Sequence, residues 1–152
     1  MKRPFTVWLL VLLLVSLALG GFSGGIPMLA DPQSGGYLDF GDLLSQLPVS
    51  NFILPGLFLS LFLGLFPLLL AYGLIAKPDW PWLDRYFKWS KHHWAWTGTV
   101  LQVIGLALWL LVEWLLIGWW PITTITAIQG ILILIVAILP GVRKHFATKE
   151  DK

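Results

Sequence analysis

A chain of 152 residues that is 57% hydrophobic and only 12% charged, with a mean hydropathy of +0.80, falls outside the range of water-soluble domains. Such domains carry about 25% charged residues, and at this size they could not hide so much apolar surface. The lack of cysteine excludes disulfide staples, thiolate metal sites and thiol redox chemistry. A formal net charge of +2 says little as a total, so what matters is where the charges fall.

The first apolar segment is FTVWLLVLLLVSLALGGF, residues 5–22. Three more follow at about 52–76, 96–119 and 122–139. Each is close to the ~20 residues a helix needs to cross ~30 Å of hydrocarbon, where backbone polar groups must be satisfied internally. The sequence therefore predicts an all-α membrane protein, a single domain built as a four-transmembrane-helix bundle. The first segment also resembles a secretory signal, with Lys2 and Arg3 ahead of it and Ala18-Leu19-Gly20 as a small-x-small site. Its length and flanks favour an uncleaved anchor.

Residues 23–51 form the first loop, with Asp31, Asp39 and Asp42 and no Lys or Arg. Its Asp31-Pro32 start reads as a turn: Asp31 bonds the following backbone, Pro32 presets φ, and Gly35 and Gly36 accept positive φ. YLDFGDLLSQL then suits either a short helix lying on the membrane face or capping the bundle, or a loop that packs on its own helices. All ten basic residues fall in the two termini and in the loop at 77–95, the same side of a four-pass chain. The positive-inside rule puts that side, with both termini, in the cytoplasm of a bacterial inner membrane. In the 77–95 loop, tryptophans and tyrosine interleave with Lys and Arg. An aromatic belt with snorkelling cations against anionic inner-leaflet lipids explains this better than nucleic acid, which is not an expected partner. His93 and Trp94 belong to that interface. His92 and His93 point about 100° apart on a helix and have no ligand at i+3 or i+4, so no metal and no cofactor is expected.

In the third segment Gly98, Gln102, Gly105, Trp109 and Glu113 fall within about 80° on a helical wheel. Small residues also recur as Ser16, Gly20 and Gly24 in the first helix, Gly56, Ser60 and Gly64 in the second, and Thr123, Thr126, Gly130 and Ala137 in the fourth. Such faces let helix backbones approach closely in lipid. The short Gly118–Pro121 connection makes the third and fourth helices antiparallel neighbours, so Glu113 is expected to meet Gln129, with Gln102, Thr126 and Tyr72 as further partners. Glu113, Gln102, Gln129, Thr126 and Trp109 form the candidate intramembrane polar site. Ionisable residues at such depth are rare and often functional, although a purely structural hydrogen-bonding role competes.

The Asp31-Pro32 turn, Pro55-Gly56-Leu57, His93-Trp94-Ala95-Trp96-Thr97 and Val112-Glu113 together resemble a group of small bacterial four-span inner-membrane proteins with no assigned activity. The resemblance implies a topology and marks Asp31, His93, Trp94 and Glu113 for mutation. Small multidrug exporters are similar only in their four spans and single membrane glutamate, since their acid lies in the first helix. The expected function is non-enzymatic: an accessory, assembly or scaffold subunit that meets lipid and either a protein partner or further copies of itself. The alternative is a small-solute or proton-coupled transport component using Glu113.

Overall fold

In the computed structural model, residues 4–39 and 41–147 are described. Four helices are long and apolar enough to cross a membrane: helix one Phe5–Ala30, helix two Ile53–Ala76, helix three Trp94–Ile117 and helix four Pro121–Ile138. The chain is an all-α, multi-pass membrane protein. Helices one and two, two and three, three and four, and four and one are in contact, closing a ring. At one end of this ring residues 140–146 contact both helix one and the 77–93 segment. The loop at 31–52 and the turn Gly118–Trp120 lie at the other. We call these the basic end and the loop end.

Helix one extends to Ala30, well past the expected end at residue 22. Glycines alone do not stop a helix, and Pro27 does not break this one. Proline cannot donate to the carbonyl four residues back, which leaves the Ser23 oxygen without its helical partner. The Tyr37 hydroxyl donates to that oxygen at 2.8 Å. The lost bond is replaced from fourteen residues away.

Helix two contains a seven-residue π stretch, Leu59–Leu65, between two α segments. The cause lies just beyond it. The Phe66 N–H bonds the Leu61 carbonyl in the π pattern, and the next bond in that ladder would run from Pro67 to Phe62. Proline has no N–H to give, so the Phe62 carbonyl is left over. The Gln102 side chain of helix three donates to it at 2.9 Å.

The core runs along the bundle axis through Leu10, Leu14, Leu70, Leu74, Ile133 and Ala137, all fully buried. Helices one and two approach one another closely at the backbone. A Cβ on Gly21 would lie 2.6 Å from the Gly64 nitrogen, and one on Gly25 would lie 2.7 Å from the Gly56 oxygen. These contacts correct the expected face of helix one. Ser16 is exposed, a Cβ on Gly20 would meet nothing within 4 Å, and one on Gly24 would touch only Leu59. The two glycine rows differ by one residue, or about 100° of rotation, and the row carrying Gly21 and Gly25 takes the contact. The expected faces of helices two and three do pack: Gly64 lies against Phe22, Gly98 against Leu70 and Gly105 against Phe62.

The basic end is closed by a short helix, Pro81–Phe87, and by the tail helix Pro140–Phe146. His93 donates through its backbone N–H to the Phe146 carbonyl at 2.8 Å, and Lys77 Nζ donates to the His145 carbonyl at 3.0 Å. The Lys77 ammonium also sits 4.5 Å above the Phe146 ring. The glycine contacts give a first test. Gly21→Leu should destabilise the protein in detergent by about 2 kcal/mol or more, as overpacking against backbone does, whereas Gly20→Leu should leave the melting temperature nearly unchanged. Equal losses in a thermal melt would mean that the contact row is misassigned.

Candidate functional site

Helices two and three approach closely along Phe66–Ala76 and separate towards the loop end. The space between the four helices there is a partly open cavity of about 530 Å³. Helix one contributes Gly20 and Gly24 to its wall, helix three Trp109 and Glu113, and helix four Thr123 and Thr126. Tyr37, Leu38, Leu43 and Leu47 of the loop roof it. The loop segment therefore caps the bundle, through a 3-10 turn at Gly41–Gln46 rather than a full α-helix.

Glu113 lies on the cavity wall and is half-buried. Thr123 Oγ donates to its Oε1 at 2.6 Å. Its expected partner Gln129 is engaged elsewhere and donates to the Leu13 carbonyl of helix one at 3.2 Å. The hairpin register explains the difference. Glu113 lies six residues before Trp119, the midpoint of the turn, and Thr123 four after it, whereas Gln129 lies ten after. Gln129 is thus about one helical turn deeper than Glu113. Thr126 returns its hydroxyl to the Ile122 carbonyl at 2.9 Å. Tyr72 lies towards the basic end, with its ring 6.3 Å from Trp80.

Of the five candidate polar-site residues, Glu113, Trp109 and Thr126 thus share a cavity, while Gln102 and Gln129 are outside its wall and bond backbone carbonyls. Trp109 stacks on Phe58 at 4.3 Å between ring centres. Gln102 is completely buried, and its Oε1 has no hydrogen-bond partner among the described residues. Thr123, which now appears as the direct partner of Glu113, was legible only as one of the small residues of helix four.

At the loop end Asp31 makes the expected turn. Its Oδ1 accepts from the Gln33 and Ser34 amides at 3.3 and 3.4 Å, and its Oδ2 from the Ser34 hydroxyl at 2.6 Å. These bonds, the Ser34 hydroxyl first, hold its carboxyl below the ordinary aspartate range. Gly35 and Gly36 take φ values of 77° and 63°. The Pro32 carbonyl then accepts from the Phe52 N–H at 2.8 Å, which ties the loop back to the start of helix two.

At the basic end His93 is the N-cap of helix three, its Nδ1 accepting from the Ala95 N–H at 3.3 Å. Trp94 is 2% exposed, so it faces protein instead of the lipid headgroups expected for an interfacial belt. Its ring stacks on Trp80 at 5.1 Å and its Nε1 donates to the Pro78 carbonyl at 3.1 Å. Gly73 leaves room for this ring, since a Cβ there would lie 2.8 Å from Trp94 Cζ2. His92 stacks on Trp96 at 4.3 Å. Among the described residues, no group of three or more His, Cys, Asp or Glu side chains could hold a metal ion.

No family model, curated protein or solved structure matches the chain. The Gln102 contact gives a prediction independent of function. Gln102→Leu should cost about 1–3 kcal/mol, because it leaves the Phe62 carbonyl unpaired inside the bundle. Gln129→Leu removes only a second bond from a carbonyl in regular helix and should cost less. Unfolding in mixed micelles against denaturing detergent would rank the two, and the reverse order would contradict the account of Pro67.

Proposed function

We propose that the protein is a non-enzymatic accessory, assembly or scaffold subunit of the bacterial inner membrane, with its basic end and both termini in the cytoplasm. The observation that best supports this is the use made of polar side chains at span depth. Gln102 and Gln129 each donate to a backbone carbonyl of a neighbouring helix, Phe62 of helix two and Leu13 of helix one. Bonds of this kind fasten helices to one another, whereas a carrier needs polar groups that change partners between two states.

The basic end supplies the contact surface. Trp82, Tyr86 and Trp89 are 61%, 74% and 69% exposed, and Arg85 is exposed beside them. Aromatic side chains and arginine are the groups that anchor protein interfaces, and they also suit anionic headgroups. The transport reading has one observation in its favour: Glu113 lines a cavity and does not bond a backbone carbonyl.

Two measurements test the proposal. For orientation, Ser45→Cys should react with an impermeant thiol reagent added outside intact cells, and Lys144→Cys only after the membrane is opened, because the basic residues belong on the cytoplasmic side. Labelling of Lys144→Cys alone in intact cells would invert the topology. For function, a photo-crosslinking amino acid replacing Tyr86 should yield a discrete polypeptide adduct in native membranes, to another protein or to a second copy. The same probe at Leu108, exposed midway along helix three, should yield lipid adducts. Lipid adducts at both positions would sink the accessory-subunit reading.

A further inference from the structure

We propose that the loop-end cavity is a binding site for a lipophilic ammonium ion, with its apolar body among the four helices and its charged head at Glu113. The site is separate from the basic-end platform, so its test does not depend on the accessory-subunit reading.

Four observations carry the inference. The first is room. About 530 Å³ falls within the ~300–1,000 Å³ of small-molecule sites. Helix one contributes to that space by presenting Gly20, where a Cβ would meet nothing within 4 Å. Gly24 of the same row also lines the cavity.

The second is charge. Among the described residues, Glu113 is the only charged one lining the cavity, and the rest of the wall is mainly apolar. Thr123 satisfies Oε1, while Oε2 receives no hydrogen bond from the described residues. A phospholipid tail or a neutral hydrocarbon could fill the volume and would still leave that oxygen without a donor. An alkylammonium supplies both the donor and the opposite charge, and a charge-assisted bond of this type is about twice as strong as a neutral one.

The third is the aromatic lining. Trp109, Trp120 and Tyr37 border the same space. Trp109 is held by its stacking on Phe58, and Tyr37 by its bond to the Ser23 carbonyl. Rings held in place beside a carboxylate are suited to a cation, whose charge is attracted to the ring faces. The fourth is access. Val112, Leu116 and Ile122 border the cavity and are exposed on membrane-spanning helices, so a ligand dissolved in the hydrocarbon can reach it.

The test is equilibrium dialysis of radiolabelled dodecylammonium against the protein in phosphatidylcholine nanodiscs, with protein-free discs subtracted. Saturable binding at about one site per chain is expected, and it should be displaced at least about tenfold less well by dodecanol, which has the chain without the charge. Glu113→Gln should weaken binding at least about tenfold at an unchanged melting temperature. Gly20→Phe keeps the carboxylate and fills the space, so it should abolish binding; it provides the decisive comparison if Glu113→Gln does not fold. Equal uptake by protein-containing and empty discs would overturn the proposal. So would undiminished binding to either folded variant, or equal displacement by dodecanol.

Discussion

A backbone carbonyl inside hydrocarbon has no water to bond, and Pro67 removes the donor that would have served Phe62. The rest of the bundle is arranged around that loss. Helix two widens into a π stretch and helix three supplies the Gln102 amide, so the two helices are joined by a bond from side chain to main chain. Buried Gly64 and Ser60 lie in the same widened stretch and face helix one. Pro27 repeats the arrangement at the loop end, where Tyr37 serves the Ser23 carbonyl. In each case a proline-made defect in one helix becomes an attachment point for another segment. Tyr37 is thereby fixed at the roof of the cavity.

Close packing at one end and separation at the other follow from where the small and large residues fall. Gly73 admits the Trp94 ring and Gly98 admits Leu70, so helices two and three are drawn together towards the basic end. Near the loop end the stacked rings of Phe58 and Trp109 stand between the same two helices. Lipid provides no hydrophobic incentive to close the remaining gap, because a lipid tail solvates an apolar wall as well as another helix does. The Glu113–Thr123 bond spans helices three and four beside this gap and fixes the carboxylate on the cavity wall.

The four spans were legible because the length and polarity of an apolar run depend on the bilayer and hardly on tertiary detail. The small face of helix three was legible for a related reason: Gly98, Gln102 and Gly105 stand out against leucines. Helix one was ambiguous, since Gly20–Gly24 and Gly21–Gly25 form two adjacent rows of equal size, and only the shape of helix two selects between them. The partner of Glu113 was missed through a miscounted hairpin register, which would have matched it with Thr123. The continuation of helix one through Pro27 could not be read locally, because Tyr37 lies fourteen residues on. The closure of the basic end depends on contacts such as Lys77 with His145, sixty-eight residues apart. Trp94 looked like a belt residue because composition reveals depth in the membrane and not which way a ring points.

The spans also differ in length. Helix one has 26 residues and helix four has 18, which at 1.5 Å per residue is about 39 Å against about 27 Å. Helix four alone nearly matches a hydrocarbon slab of ~30 Å. The start of helix one contacts the tail helix that follows helix four, so the two spans are level at the basic end and the surplus of helix one emerges at the loop end. Against a hydrocarbon slab matched to helix four, that overhang carries Gly24–Ala30 and the attached loop beyond the acyl chains. A thicker bilayer would strain helix four first, through hydrophobic mismatch, and would pull on the Thr123 side of the cavity while helix one remained unaffected. The end of helix four that would feel this mismatch is the one that carries Thr123, the partner of Glu113.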